Sequence, residues 1–269
     1  MSLVHYLRCA GGIIAREGLR FLHQRERFIA ALVRPLVWLV VFAAGFRNVL
    51  GVSITPPYET YVLYEVYIVP GLIGMVQLFN GMQSSLSMVY DREMGSMRTL
   101  LVSPLPRWYL LLCKLMAGVA VSLFQVYAFL LIAKLFGVDL PWFGFLTVLP
   151  ALIVTGLMLG ALGLLLSSFI RQLENFAGIM NFVIFPMFFL SSALYPLWKM
   201  KESSLILYQI CVANPFSHAV ELIRHALYQQ FEPTALAVVL LATMLFLGGA
   251  IWGYDPTRGM IQRRAGGPG

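Results

Sequence analysis

Residues 143–168 have the sequence FGFLTVLPALIVTGLMLGALGLLLSS, with no charged side chain. At 1.5 Å per residue, a helix of this length extends about 39 Å, more than the roughly 30 Å of hydrocarbon in a bilayer. No soluble domain separates this stretch from five further apolar stretches, at 28–46, 61–88, 109–136, 175–197 and 234–253. The sequence therefore predicts an all-α polytopic membrane protein with about six transmembrane helices, forming a single transmembrane domain over 1–269.

The composition favours lipid as the main solvent of this chain. Hydrophobic residues make up 59% and charged residues only 12%, whereas a soluble domain has about 25% charged residues. The mean hydropathy is +0.80. The net charge of +7 does not indicate a nucleic-acid partner, because the basic residues flank apolar stretches and form no patch with interleaved aromatics. Membrane lipid is the expected partner of these basic residues.

The sequence contains no motif for catalysis, metal binding or ATP binding. Cys9, Cys113 and Cys211 are isolated and suggest neither a disulfide framework nor a metal site. There is no HExxH, no GxSxG, no pair of carboxylates within the apolar stretches, and no GxxxxGK[ST] loop. We therefore expect no catalytic residue, no metal and no cofactor in this chain. If ATP drives it, the ATPase is a separate polypeptide.

The distribution of basic residues predicts the orientation. With six spans, both termini lie on one side, which then holds fourteen of the 19 Lys and Arg residues, against five on the other. The positive-inside rule makes that side cytoplasmic, and the expected location is the plasma (bacterial inner) membrane. The first 27 residues contain five arginines and no small-residue cleavage site, so we do not expect a cleavable signal.

The first helix is predicted at 2–25, ahead of the spans. Its apolar residues recur at helical spacing beside Arg8 and Arg16, which suits an amphipathic helix in the cytoplasmic interface. A short solvated helix is the alternative.

Two spans contain unusual residues. Arg34 lies inside the first span, where its side chain could extend back to the headgroups. The second span is about 42 Å long as a helix, so it must tilt, break at Pro70-Gly71 or protrude. Glu65 near its outer end is either an ion site or an interfacial carboxylate bound to Tyr61 or Tyr64.

The segment after the second span, DREMGSMRTLLVSPLPR at 91–107, is cytoplasmic in this topology. Mixed charges precede the apolar cluster of Leu100, Leu101 and Val102, and Ser103-Pro104 ends it, which predicts a short amphipathic helix over 91–104. Its leucines need headgroups or a protein partner for burial. The alternative is a plain surface connector.

Three stretches resemble the permease subunits of the ABC-2, or type-2 exporter, family. They are PGLIGMVQLFNGMQSSLSMVYDREMGSMRTLLVSPLPRWYLLLCKLMAG at 70–118, NFVIFPMFFLSSALYPL at 181–197 and NPFSHAVELIRHAL at 214–227. The resemblance covers roughly 61–228. Ser191-Ser192-Ala193 departs from it, since a Ser-Gly pair is usual there. The family pattern after the second span is matched by Asp91, Arg92, Glu93, Gly95, Leu100, Leu101, Ser103, Pro104, Arg107 and Lys114.

The resemblance implies the permease subunit of an ATP-binding-cassette exporter. Such a subunit pairs with a second permease, here a homodimer, and with two copies of a cytoplasmic ABC ATPase that bind ATP and Mg. The substrate would be hydrophobic, amphipathic or lipid-linked. Segment 91–104 would be the coupling helix, with contacts from Asp91, Arg92, Glu93, Gly95, Arg98, Leu100, Leu101, Ser103 and Pro104.

The outer segment at 203–231 is predicted to be helical but not to cross the membrane. Asn214 is an N-cap with Pro215 at the first helical position, and the apolar stripe is Phe216, Val220, Ile223, Leu227 and Phe231. The resemblance implies short re-entrant helices that close an outer gate, formed by Asn214, Pro215, Glu221 and Arg224. A helix lying flat on the outer surface is the alternative.

Spans two and five contain the candidate substrate path. Their aromatic and methionine side chains could form adaptable apolar walls, although ordinary helix packing would place them equally well. The candidates are Met75, Phe79, Phe182, Phe185, Phe188 and Phe189. Two rival functions remain: a secondary carrier that uses Glu65, and a structural membrane protein without cargo.

Overall fold

The computed structural model describes residues 3–23, 25–46, 56–58, 62–93, 106–170 and 172–254. These residues form ten α-helices. The helices are α1 (Leu3–His23), α2 (Arg25–Phe46), α3 (Tyr64–Glu93), α4 (Arg107–Leu135), α5 (Gly144–Phe169), α6 (Leu173–Phe189), α7 (Leu197–Ser203), α8 (Leu205–Ala213), α9 (Pro215–Leu227) and α10 (Pro233–Gly253).

Each apolar stretch predicted as a span corresponds, wholly or in large part, to one helix: α2, α3, α4, α5, α6 or α10. Among the described residues, three helical stretches are both long and apolar enough to cross a membrane: Trp108–Leu135, Gly144–Phe169 and Pro233–Gly253. Phe28–Val41 and Leu173–Phe189 are shorter apolar helices. The fold class is therefore an all-helical membrane protein, as expected, and the count of six spans stays a prediction.

The central helix is α3, and it is continuous. Its 30 residues include Pro70, so the structure excludes a break at Pro70-Gly71. Every residue from Val66 to Met82 is buried, because α2, α4, α5, α6 and α9 all pack against this helix. Since α3 extends about 45 Å, it is longer than the hydrocarbon core and must tilt or protrude.

The contact between α3 and α5 depends on glycine. A Cβ placed on Gly81 would lie 2.8 Å from Leu159 O, and one on Gly163 would lie 2.6 Å from Gly81 O. Both obstacles are backbone atoms, so the two helices approach as closely as they do only because these positions have no side chain.

The predicted fifth span, 175–197, differs from the structure. Its helix, α6, has 17 residues and ends at Phe189, and residues 190–196 are irregular. Ser191, Ser192, Ala193 and Leu194 are nevertheless buried, because Tyr64 donates a hydrogen bond to Leu194 O (2.8 Å) and Tyr67 donates one to Ser192 O (3.1 Å). Tertiary contacts thus fix a segment whose apolar sequence resembles the end of a helix.

Contacts near the helix ends distinguish the two ends of the bundle. At one, the α9 end, Gln230 donates to Pro57 O (3.2 Å) and Thr147 donates to Ala226 O (2.7 Å). At the other, the α1 end, the hydroxyl of Tyr109 donates to Tyr6 O (2.6 Å). The Ser167 and Tyr254 hydroxyls also lie 2.7 Å apart at the α1 end. The first turns of α4 and α5 therefore lie at opposite ends of the bundle.

The predicted coupling helix, 91–104, lies largely outside the described residues. Asp91, Arg92 and Glu93 form the last turn of α3. The other coupling candidates, Gly95, Arg98, Leu100, Leu101, Ser103 and Pro104, fall beyond the described part of the chain. The predicted N-terminal helix corresponds to α1, which packs on α4, and its place in the interface stays a prediction.

Candidate functional site

The side chain of Asn214 forms hydrogen bonds with both the end of α6 and the start of α9, at the α9 end of the bundle. Its Oδ1 accepts a hydrogen bond from Phe216 N (3.0 Å), and Pro215 is the first residue of α9, so the predicted N-cap is confirmed. The Nδ2 group donates to Met187 O (2.8 Å) and Leu190 O (2.7 Å). One side chain therefore caps α9 and also satisfies carbonyls at the end of α6, which have no partner within that helix.

The predicted stripe on α9 is buried except at its last position. Phe216, Val220, Ile223 and Leu227 are fully buried, whereas Phe231 is 71% exposed. The reason is that α9 ends at Leu227, so the helical spacing does not continue to residue 231. The buried stripe holds α9 against α3 and α5.

Arg224 is the buried cation of this site. Its side chain is 3% exposed, and its Nη1 atom forms an ion pair with Oε1 of Glu221, which is 21% exposed. The Nη2 atom donates to Ser192 O at 2.9 Å, and the guanidinium lies 4.1 Å from the centroid of the Tyr67 ring. Arg224 thus joins α9, the irregular segment after α6, and α3.

Tyr58 and Tyr228 pack together beside Arg224, with ring centroids 4.9 Å apart. Burial raises the pKa of Tyr58 to about 12, although the positive charge of Arg224 partly opposes this. The phenol is therefore neutral at physiological pH. Within the described residues, the Tyr58 hydroxyl and Arg224 Nε are buried and have no hydrogen-bond partner.

The sequence predicted Asn214, Pro215, Glu221 and Arg224 as one site but not their partners. The carbonyl groups of Leu190 and Ser192 cannot be identified as acceptors from sequence. Only one of these partners could have been suspected from the sequence: Ser192 lies in the Ser191-Ser192-Ala193 segment, which departs from the family pattern. Its hydroxyl donates a hydrogen bond to Ser217 O on α9 (3.3 Å), so the side chain at this position contacts α9.

The candidate substrate-path residues fall into two groups. Met75, Phe79 and Phe188 are buried, whereas Phe182, Phe185 and Phe189 are 79%, 44% and 40% exposed. Phe188 packs in the core against Trp38 (6.2 Å) and Phe216 (6.2 Å). The structure therefore does not bring all six side chains to one surface.

A polar seam between α3, α4 and α5 was not predicted. Gln77 donates to Leu152 O (2.8 Å) and accepts from Thr155 (2.7 Å), and Asn80 donates to Gly118 O (2.8 Å). Lys114 is 7% exposed, with its Nζ 2.9 Å from Met88 Sδ. The fold buries these groups because each lies on a helix face that packs against another helix.

No group of three or more His, Cys, Asp or Glu side chains that could hold a metal ion occurs in the part of the chain that the structure describes. Glu65 lies in the first turn of α3 and is half-buried at the α9 end.

Long apolar helices packed around a continuous, buried α3 define a multi-pass membrane protein. A family model described as "ABC-2 type transporter" matches residues 11–228, and the chain belongs to this family. It is therefore a transporter permease subunit and not an enzyme, and its family implies an ABC ATPase as partner.

Similar proteins are named as permeases. The chain is 29% identical over 219 residues to a protein of Porphyra purpurea named as transport permease ycf38, covering 79% of this chain and 72% of the relative. A Pyropia yezoensis protein of the same name is 30% identical over 220 residues, covering 78% and 70%. A multidrug ABC transporter permease of Escherichia coli strain K12, YbhR, is 30% identical over 168 residues, covering 61% and 44%.

Proposed function

We propose that this chain is the transmembrane subunit of an ATP-binding-cassette exporter. It moves a hydrophobic, amphipathic or lipid-linked substrate out of the cytoplasm, and a separate ATPase subunit supplies the energy. The functional unit contains two permease copies and two ATPase copies, with ATP and Mg bound on the ATPase. The name of the Escherichia coli relative, a multidrug permease, supports an apolar or amphipathic cargo.

The observation that supports this proposal most directly is the length and continuity of α3. Its last turn is formed by Asp91, Arg92 and Glu93, where the predicted coupling helix begins. Its first turns contain Tyr64 and Tyr67, which hydrogen-bond the carbonyls of Leu194 and Ser192 beside the gate. Because a packed helix moves as a unit, a displacement at the ATPase end shifts the contacts at the gate.

The proposed topology has six crossings, with both termini in the cytoplasm and the α9 end facing outward. The first turns of α4 and α5 lie at opposite ends of the bundle, which supports it, as do fourteen Lys and Arg residues on one side against five on the other. In this orientation α8 and α9 form the re-entrant outer segment. The membrane is the plasma (bacterial inner) membrane.

The proposal is tested by co-purification of the chain with its ATPase subunit and by ATP hydrolysis of the complex. We expect Leu100→Asp to abolish co-purification, because a charge would replace an apolar contact, and Glu93→Ala to weaken it. Leu100→Met is the matched control, since it keeps an apolar side chain of similar volume. If Leu100→Asp and Glu93→Ala both leave co-purification and hydrolysis intact, the coupling assignment is wrong.

A further inference from the structure

The polar seam between α3, α4 and α5 contains a cavity. All three helices form its walls, and the contribution of α5 includes two glycines. The polar wall residues on α3 and α4 are Gln77, Asn80, Ser84, Ser85, Lys114 and Ser122. Polar side chains within long apolar helices generally face one another or a water-filled space, so this cavity is a candidate site for a small polar ligand.

The contacts along the seam show how α4 lies against α3. Lys114 Nζ lies 2.9 Å from Met88 Sδ. One helical turn further along α4, a Cβ placed on Gly118 would lie 3.0 Å from Ser84 Oγ, and Gly118 O accepts a hydrogen bond from Asn80 Nδ2 (2.8 Å). The residue numbers in contact rise on α4 and fall on α3, so the two helices are antiparallel.

Ser122 is the next polar residue on this face of α4. It follows Gly118 by four residues, about one helical turn, and the antiparallel arrangement places it near the level of Asn80. Ser122 is 2% exposed, and within the described residues its hydroxyl has no hydrogen-bond partner. Native proteins generally satisfy such a group with another protein group or with ordered water.

The size and chemistry of the cavity match a water molecule. The space between its walls is that of a single molecule of this size, so a phosphate or a carboxylate ligand is too large. A buried water typically makes about three hydrogen bonds. Besides Ser122, the walls offer the hydroxyl of Ser84 and the amide of Asn80, which has a second hydrogen beyond the one donated to Gly118 O.

We infer that this cavity is a water-binding site, in which one ordered water molecule joins Ser122 of α4 to Asn80 and Ser84 of α3. The contact between α3 and α4 is then partly mediated by water, whereas α3 and α5 meet directly at Gly81 and Gly163. The inference concerns a ligand inside the bundle, and it goes beyond the proposed function without depending on it.

Melting temperatures of the full chain distinguish a hydroxyl bound to water from one without a partner. We expect Ser122→Ala to lower the melting temperature by about 2–4 °C, because the water and its other partners lose a hydrogen bond. If the hydroxyl had no partner, the same substitution would raise the melting temperature, since it would remove a buried, unsatisfied group.

Ser87→Ala on α3 is the matched control for this measurement. The Ser87 hydroxyl donates to Ser84 O (2.8 Å) within its own helix, and Ser87 is not a wall residue of the cavity. Its replacement should change the melting temperature less than Ser122→Ala does. A Ser122→Ala protein that melts at the same temperature as the unmodified chain, or above it, would overturn the inference.

Hydroxyl radicals made from the bound water by X-rays test the site directly. Such radicals oxidise the side chains beside the water, and mass spectrometry locates them. Leu115 lines the cavity and is 4% exposed, so we expect its oxidation in nanodiscs, whereas Leu130, buried elsewhere on α4, should stay unmodified. Ser122→Val should abolish the oxidation of Leu115, because it removes the hydroxyl and adds methyl groups. Unmodified Leu115 in the original chain contradicts the inference.

A small anion is the rival occupant, because Lys114 lines the same cavity. A water site gives equal melting temperatures in sodium gluconate and in sodium bromide. Stabilisation by bromide that disappears in Lys114→Met would show a halide site, and the inference would be wrong. These measurements need neither the ATPase subunit nor a transported substrate, so their failure leaves the proposed function untouched.

Discussion

At the scale of single residues, the side chain of Asn214 makes three hydrogen bonds at the α9 end. Its amide oxygen caps α9, and its amide nitrogen donates to two carbonyls at the end of α6. An alanine or a carboxylate at this position would lose different subsets of these bonds, which makes the position informative for mutagenesis.

We predict that Asn214→Ala lowers the free energy of unfolding by about 2–3 kcal/mol, because it removes one cap and two further hydrogen bonds. Asn214→Asp should be at least as harmful, since it keeps the cap but places a carboxylate oxygen against two carbonyl oxygens. Thermal unfolding in detergent measures both. Asn175→Asp is the control, because Asn175 is exposed; wild-type stability of Asn214→Asp would contradict the geometry.

Arg224 and Glu221 give the second prediction at this scale. Either Arg224→Met or Glu221→Gln alone should destabilise the protein by about 3–5 kcal/mol, because each leaves one charge without its partner in a largely buried site. The double variant should be more stable than either single variant. Melting temperatures of the three variants test this, and losses that simply add would show that the two residues act independently.

At the scale of helices, the close contact between α3 and α5 requires that Gly81 and Gly163 have no side chain. We predict that Gly163→Ala costs about 1–3 kcal/mol of stability, because the new methyl group would meet Gly81 O at 2.6 Å and push the helices apart. The intrinsic preference of alanine for helices, worth about 1 kcal/mol, opposes only part of this loss.

Gly248→Ala in α10 is the matched control, because a Cβ there has nothing within 4 Å. It should leave the melting temperature unchanged or raise it slightly. If the Gly163→Ala protein has the same melting temperature as the Gly248→Ala protein, α3 and α5 are not in close contact.

At the scale of the whole molecule, the topology can be tested by thiol accessibility in intact cells. In a background with Cys9, Cys113 and Cys211 replaced by serine, we expect an impermeant maleimide to label Asp139→Cys and Glu202→Cys. Gln172→Cys should react only after the membrane is permeabilised. All three positions are exposed in the structure. Labelling of Gln172→Cys from outside would contradict the predicted orientation.

Much of the helix pattern could be predicted because its cause is local. A helix in lipid satisfies its own backbone hydrogen bonds, so a long apolar stretch is sufficient to indicate one. The Asn214-Pro215 cap is likewise a contact between neighbours in sequence, and it was predicted correctly. The end of the fifth span was misplaced by several residues, because Tyr64, Tyr67 and Asn214 stabilise an irregular segment that looks helical by composition.

The apolar sequence 143–168 and its five counterparts by themselves determined the class of protein, since hydrophobicity over a bilayer thickness depends on composition alone. The motifs at 70–118, 181–197 and 214–227 were sufficient to indicate the family. Only the tertiary structure decided which side chains and carbonyls meet: Arg224 with Ser192 and Tyr67, and Arg34 with Phe79. Such contacts join distant parts of the chain, and they depend on which faces the packed helices present to one another.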